Sequence, residues 1–402
     1  MIYLDYNATT PLCAAAWRAM QPYFEEKFGN PSSVHRAGRE TRAAVDDARD
    51  RLAALLRAKP HEIIFTSGGT EANNLALLGL ARRLAPDGKH LISNRAEHHA
   101  VLHTLEHLEQ QEGFEITWLD VSPEGLIDPD QLEKAIRPDT TLVSVMTANN
   151  ETGVIQPILE ISARCRKHGV LLHSDMVQSF GKLDLRKQVP PEGRASARPD
   201  PLPCDAASFG AHKFYGPKGV GFLYLRSGLP IDRIQFGGSH EGERRPGTEN
   251  APAIVGMAAA AETVLPDLPN EQVREEKLRD DLWRGIERIF PEAQPNGATA
   301  PRLANTLNVS FPGFSSETLL MALDLEGICA SSGSACMVGS VVASHVLRAM
   351  GRPPERAASA IRFSLGKETT ADEIARTIAA LERILQRCKS AAAADQGQHA
   401  LV

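Results

Sequence analysis

A lysine that could do covalent chemistry lies in the run 208–219, between a histidine and a turn rich in glycine and proline. Lys213 follows His212 directly, and the apolar stretch 220–225 that comes next predicts a strand. A lysine amine in this setting can form a Schiff base with an aldehyde cofactor. Read alone, the run also fits an ordinary solvated lysine.

Two further segments offer contacts for a phosphorylated ring. The apolar stretch 62–66 runs into Gly68, Gly69 and a helix start, where free backbone N–H groups favour an anion such as phosphate. We expect Thr70 to cap this helix and to offer its hydroxyl to the phosphate. Another apolar stretch ends at Asp175, whose carboxylate could face a ligand and pair with a protonated pyridine nitrogen. Each segment also fits an ordinary turn with a capping residue.

A cysteine could serve as the nucleophile. Cys336 follows the small, polar run 330–335, which suits an exposed and mobile thiol better than a buried one. Cys329 follows an apolar run and is predicted to be a buried strand cysteine. The ordinary alternative for Cys336 is an unreactive loop cysteine.

The composition is that of a globular protein with more than one small core. A chain of 402 residues predicts two domains, and 42% hydrophobic with 23% charged residues is typical of a soluble protein. The net charge of −6 argues against broad nucleic-acid binding. The cysteines lack metal-ligand spacing, and no signal peptide or apolar run of ~20 residues is evident. We therefore expect free thiols, no metal, no membrane span and a cytoplasmic location.

Alternating strand and helix patterns must position these groups. Strands are predicted at 62–66, 89–93, 114–118, 141–146 and 170–174, and helices at 39–58, 70–84, 98–111, 129–136 and 158–168. This alternation indicates an α/β protein with a mainly parallel sheet covered by helices. Later patterns predict helices at 272–290, 317–326 and 371–388 and a strand at 305–311, hence a smaller α+β domain. The tail 390–402 is expected to fray.

Together these segments resemble the cysteine desulfurases of the NifS/IscS type, which depend on pyridoxal 5′-phosphate (PLP) and are also called aminotransferase class V. The resemblance runs nearly end to end, through motifs at 3–11, 28–33, 97–101, 149–153, 245–250 and 361–366. It implies fold type I of the PLP-dependent transferases and a homodimer. It also implies a large PLP-binding domain at 13–258 and a small domain, made of 1–12 and 259–402, that carries the cysteine loop.

The resemblance further implies a role for each candidate residue. Lys213 would bond to PLP and move the substrate proton, while Cys336 would take the sulfur of L-cysteine as a persulfide, leaving L-alanine and a cargo for a sulfur-acceptor protein. Asp175 would contact the ring nitrogen, Gln178 the ring hydroxyl, and His98 the ring face, where it would shuttle protons. Asn150 would lie beside the ring and the substrate, and Arg362 would bind the substrate carboxylate. The phosphate would be held by Gly69, Thr70 and His212, and Thr248 would reach the phosphate of the neighbouring subunit.

The chain departs from the family in four places. Gly210 stands where a phosphate-binding serine is usual, and Met176 replaces the alanine that usually follows the aspartate. The stretch 337–343 is more apolar than in the family, and the proline-rich stretch 189–203 is an insertion expected to form an exposed loop. Two alternatives stay open: a PLP-dependent lyase that releases sulfide or selenide, and a non-catalytic scaffold that binds a sulfur-acceptor protein.

Overall fold

The computed structural model describes residues 1–185, 202–332 and 343–399. Its helices are α1 (Ala14–Met20), α2 (Pro22–Glu25), α3 (Arg36–Leu56), α4 (Gly69–Leu84), α5 (His99–Glu112), α6 (Pro129–Ala135), α7 (Ile158–His168), α8 (Ala251–Val264), α9 (Leu268–Ile289), α10 (Ser316–Leu325), α11 (His345–Ala349), α12 (Pro354–Ala358) and α13 (Ala371–His399). Its strands are β1 (Ile2–Tyr3), β2 (Ile63–Thr66), β3 (His90–Asn94), β4 (Glu115–Leu119), β5 (Thr140–Ser144), β6 (Leu171–Asp175), β7 (Ala206–Gly210), β8 (Gly221–Leu225), β9 (Gln294–Pro295), β10 (Thr306–Ser310), β11 (Ile328–Cys329) and β12 (Ala360–Ser364).

The largest sheet among the described residues has seven strands in the order β2-β8-β7-β6-β5-β3-β4. The strands from β7 to β4 pair in parallel, whereas β8 is antiparallel to both of its neighbours. Only residues 211–220 connect β7 to β8, and a parallel crossover usually needs a dozen residues or more, so the chain turns back directly. The predicted α/β class with a mainly parallel sheet is confirmed, and Lys213 lies in this tight connection.

This topology places the carboxyl ends of several strands at one edge of the sheet. Because β2 and β7 are both antiparallel to β8, they point the same way, as does β6. The chain therefore leaves this edge toward Gly69 after β2, at Asp175 after β6 and toward Lys213 after β7. Ligands of open α/β sheets bind at such an edge.

A second group of strands lies in the C-terminal part of the chain. β10 pairs antiparallel with β12 and β9, and β1 pairs in parallel with β11. Apolar residues of α9, α10 and α13 pack on these strands, and Ile2 and Leu4 from the N-terminus are buried in the same cluster. The predicted limits of the two domains, 13–258 for one and 1–12 with 259–402 for the other, stay a prediction.

The structure corrects one prediction about the C-terminal tail and leaves two segments outside the described residues. α13 continues to His399 instead of fraying from residue 390, because this stretch is rich in alanine, the strongest helix former. Cys336, the apolar stretch 337–342 and the insertion 189–203, apart from Leu202 and Pro203, lie outside the described ranges.

Within the described ranges, no single helix has the length and apolar character needed to cross a membrane. α8 and α9, which meet at an angle of 73°, reach that length and composition only when they are taken together. α8 is almost wholly buried within the protein, where it packs against α1 and α3.

Candidate active site

The turn between β2 and α4 brings backbone N–H groups to the edge of the sheet. Gly68 has φ +157°, a conformation adopted almost only by glycine. Gly69 lies so close to Val177 that a β-carbon at this position would come within 2.5 Å of Val177 Cγ2. Gly68 is the N-cap of α4 and no side chain caps the helix, so the prediction that Thr70 caps it was wrong. Thr70 is instead an exposed residue in the first turn, where an anion would meet it.

Lys213 ends a single turn of 3-10 helix, Ala211–Lys213, directly after β7. Its Nζ donates hydrogen bonds to the carbonyl oxygens of Asn7 and Ala8, each at 2.7 Å. The preceding His212 has its Nδ1 3.2 Å from Thr9 Oγ1. Burial and the charge of Lys213 lower the pKa of His212 to about 4, so this ring is neutral at pH 7. The N-terminal segment thus contacts both residues.

Asp175 is buried at the end of β6 and contacts two donors. Its Oδ2 accepts from Asn73 Nδ2 at 2.7 Å, and its Oδ1 accepts from the backbone N–H of Val177 at 2.9 Å. Both contacts hold the carboxylate oxygens as acceptors, which is the state that a protonated pyridine nitrogen requires. Asn73 lies on α4, and the sequence alone did not indicate a role for it.

His98 is the N-cap of α5 and lies within the electrostatic reach of Asp175 and Lys213. Its Nδ1 accepts from the backbone N–H of Ala100 at 3.1 Å, so a neutral ring carries its proton on Nε2. Burial is the main cause that lowers the pKa of His98, Asp175 opposes this effect, and Lys213 adds to it. The structure therefore brings three predicted site residues together and keeps the imidazole neutral.

Arg362 lies on β12 and is buried. Its Nη2 donates to Asp5 Oδ1 at 2.7 Å, and its Nη1 donates to the carbonyl oxygen of Asn150 at 2.9 Å. Its Nε finds no hydrogen-bond partner among the described residues. A buried guanidinium donor without a partner is costly, and a carboxylate ligand would satisfy it.

Gln178 is buried one turn after Asp175, and its Nε2 donates to the carbonyl oxygen of Asn7 at 2.8 Å. Lys182 Nζ donates to Gln178 Oε1 at 2.6 Å and to Asn7 Oδ1 at 2.7 Å. Sequence reasoning missed Asn7 and Lys182 as site residues. Asn7 did lie in the quoted motif 3–11, but only the fold shows that this motif reaches the lysine.

Three further positions complete the predicted set. Thr248 is exposed on the single chain, and its contact with a neighbouring subunit stays a prediction. Gly210 lies across from Gly69, where a β-carbon would be 3.4 Å from the Gly69 nitrogen. Met176 is fully buried and belongs to the main apolar core, so its side chain contributes to packing.

Cys329, the competing thiol, lies on β11 and is half-buried, not buried as predicted. Burial and the carboxylates of Asp324 and Asp5 raise the pKa of its thiol. A thiolate is the nucleophilic form of cysteine, so this environment is unfavourable for an attacking thiol.

These residues fit PLP. The start of α4 with Gly68 and Gly69 would hold the phosphate, and the buried Asp175 would pair with the ring nitrogen. The Lys213 amine would bond to the aldehyde carbon. A substrate carboxylate has Arg362 with its unpartnered Nε. Gln178 and His98 would contact the ring hydroxyl and the ring face.

The fold and this site define a PLP-dependent enzyme of the α/β class. Residues 2–377 match the family model Aminotransferase class-V, and the chain belongs to that family. It is 46% identical to "Cysteine desulfurase IscS" of Dictyoglomus turgidum, over 97% of this chain and 95% of the relative. The predicted family, fold class and PLP cofactor are confirmed.

Solved structures agree with this assignment. A structure named "NIFS-LIKE PROTEIN" superimposes with a TM-score of 0.86 at 36% identity, over 96% of this chain and 99% of the other. A structure named "SspA in complex with cysteine" superimposes with a TM-score of 0.78 at 33% identity, over 91% of this chain and 99% of the other.

Proposed function

We propose that this protein is a cysteine desulfurase that converts L-cysteine to L-alanine and retains the sulfur as a persulfide on Cys336. The observation that carries the proposal is the placement of His98, Asp175 and Lys213 at the carboxyl ends of the parallel strands β3, β6 and β7, at one edge of the sheet. The relatives named cysteine desulfurase, and the related structure named as a complex with cysteine, support the substrate.

Binding of L-cysteine would depend on Arg362. Its guanidinium is fixed by Asp5 and by the carbonyl oxygen of Asn150, and its buried Nε is directed at neither. A planar guanidinium recognises a carboxylate with two parallel hydrogen bonds, which also fixes the orientation of the amino acid. The Asn150 side chain would lie beside the substrate.

Proton transfer would involve Lys213 and His98. When bound, PLP supplies the electron sink that stabilises negative charge on the substrate Cα. Asp175 and Gln178 would hold its ring, and Gly69, Thr70 and His212 its phosphate. The Lys213 amine would take the Cα proton, and the neutral imidazole of His98 could exchange a proton with substrate or thiol.

Sulfur transfer would require a thiolate on Cys336. The thiolate attacks the substrate sulfur, an S–S bond forms as the C–S bond breaks, and protonation of the carbon gives alanine. One cysteine and one enzyme thiol therefore yield one alanine and one persulfide. A free thiol near pKa ~8.5 is mostly protonated at pH 7, so a proton acceptor such as neutral His98 would assist.

Product analysis distinguishes this proposal from its alternatives. A desulfurase makes alanine and releases sulfide only when a reductant cleaves the persulfide, whereas a lyase releases sulfide without one. A scaffold consumes no cysteine. We expect alanine and persulfide to form in equal amounts, and sulfide to be released only when dithiothreitol is added. Sulfide release independent of reductant would favour the lyase, although the names of the relatives do not favour it.

We further propose a cytoplasmic homodimer with composite sites that passes sulfur to an acceptor protein for iron–sulfur cluster assembly or thiolation. The exposed position of Thr248 suits a contact with a second subunit. Mixing Lys213→Ala and Thr248→Ala subunits should restore activity, because one hybrid site then has both residues. A fully active monomer in light scattering, or no recovery on mixing, would contradict composite sites.

A further inference from the structure

A second lysine lies behind the predicted cofactor contacts. Lys182 is half-buried in the segment that follows β6, four residues after Gln178. Its Nζ donates to Gln178 Oε1 at 2.6 Å and to Asn7 Oδ1 at 2.7 Å. The role proposed above for Gln178 requires a donor, so the orientation of its amide matters.

The contact with Lys182 fixes that orientation. An amide has one acceptor end and one donor end, and an ammonium group, which has no acceptor, can only donate to the acceptor end. With Oε1 facing Lys182, Nε2 is the donor end, and it donates to the carbonyl oxygen of Asn7 at 2.8 Å. A flipped amide would place Nε2 against the Lys182 ammonium and Oε1 against the carbonyl oxygen of Asn7, so Oε1 would lose its hydrogen bond.

Asn7 connects this pair to the catalytic lysine. Its carbonyl oxygen accepts from both Gln178 Nε2 and Lys213 Nζ. Its Oδ1 accepts from Lys182 and from Asn305 Nδ2 at 3.2 Å, and its Nδ2 donates to Thr306 Oγ1 at 2.9 Å. The amide of Asn7 is therefore fixed by Asn305 and by Thr306 at the start of β10, and Lys182 has two acceptors in fixed positions.

The charges around Lys182 affect its protonation state. A cavity of about 20 Å³ is lined by Lys182, Lys213 and Glu275, among others. Burial and the charge of Lys213 lower the pKa of Lys182 to about 7, and Glu275 opposes the shift. Both forms carry enough hydrogens to donate to Gln178 and Asn7, but only the ammonium, which cannot accept, excludes the flipped amide.

We propose that Lys182 is a positioning residue that holds the amide of Gln178 with its Nε2 directed to donate to the ring oxygen of PLP. The inference rests on the proposed function, because it assumes that Gln178 contacts the ring. Lys182 acts through Gln178 and touches neither cofactor nor substrate in this role.

The test measures PLP binding by the holoenzyme, using Lys182→Met, which has similar length but no donor. Loss of one hydrogen bond to the ring oxygen should weaken PLP affinity by roughly tenfold and shift the visible absorption of the bound cofactor. The matched control is Lys167→Met, since Lys167 is an exposed lysine paired with Glu133. The control should bind PLP like the parent protein.

A double-mutant cycle decides whether Lys182 acts through Gln178. If it does, Lys182→Met should add almost nothing to the loss caused by Gln178→Ala. Additive losses, or parental affinity and spectrum in Lys182→Met, would overturn the proposal. If Lys182→Met does not fold, Lys182→Gln, which is too short to bridge both acceptors, should give the same result in the cycle.

The cycle is read from cofactor binding alone, and alanine formation by the parent protein is a separate measurement. A parent protein that binds PLP but makes no alanine would contradict the proposed function while leaving the cycle interpretable. An additive cycle in an active desulfurase would contradict only the role of Lys182.

Discussion

Replacing Gly210 with serine should tighten PLP binding. Gly210 has φ −133° and ψ 120°, ordinary strand values that any residue adopts. A β-carbon there would lie 3.4 Å from the Gly69 nitrogen and 3.5 Å from Val177 Cγ1, which are contacts the site can accommodate with little movement. The new hydroxyl would therefore extend from a position beside the helix start where the phosphate is expected.

The magnitude follows from one added hydrogen bond to a charged group. Such a bond contributes about 1.5–3 kcal/mol, equivalent to roughly a ten- to hundredfold change in affinity. Displacement of a water from the phosphate and ordering of the serine rotamer oppose this gain. We therefore expect Gly210→Ser to bind PLP roughly tenfold more tightly than the parent protein and to lose less of it on dilution.

The assay follows loss of the visible cofactor absorption after dilution into buffer without PLP. Gly210→Ala is the matched control, because it adds the same β-carbon without the hydroxyl. Gly210→Ala should leave PLP retention unchanged or slightly reduced, whereas Gly210→Ser should improve it. Equal retention by both variants, or faster loss from the serine variant, would refute it.

Three further predictions concern other residues. Lys213→Ala should abolish both turnover and the absorption of the Schiff base between this lysine and PLP, and a fully active variant would disprove the assignment. Arg362→Lys should raise the KM for cysteine roughly ten- to hundredfold with a smaller effect on kcat, because an ammonium cannot replace the planar fork; an unchanged KM in alanine assays would contradict this. Burial lowers the pKa of His173 to about 3, so its contribution to stability is fully present above the ordinary value of about 6.5 and is lost as the pH falls toward 3. His173→Gln should make the acid loss of unfolding free energy in urea titrations less steep, and an equal slope would contradict this.

The sequence was sufficient to predict the elements and the sheet because apolar periodicity is local. The predicted helices at 70–84 and 158–168 and the strand at 170–174 match α4, α7 and β6 to within one residue at each end. The candidates Lys213 and Asp175 were found because each ends a recognisable local pattern. That both lie at the same sheet edge as His98 emerged only from the strand order.

The contacts that the sequence did not reveal are those made between distant segments. Asn7 meets Lys182, Gln178 and Lys213 only because the N-terminal segment crosses the sheet edge. The error about Thr70 has a local cause: Gly68 already provides the non-helical backbone of the N-cap, so the threonine falls within the helix.

The most direct test of the account is the mass of the Cys336 peptide after reaction with L-cysteine. The holoenzyme, treated without reductant, should carry one extra sulfur atom on this peptide, with alanine formed in matching amount. Cys336→Ser should form neither product, while Cys329→Ser should form both. Alanine production at the parent rate by Cys336→Ser, or sulfur found on another cysteine instead, would contradict the desulfurase mechanism.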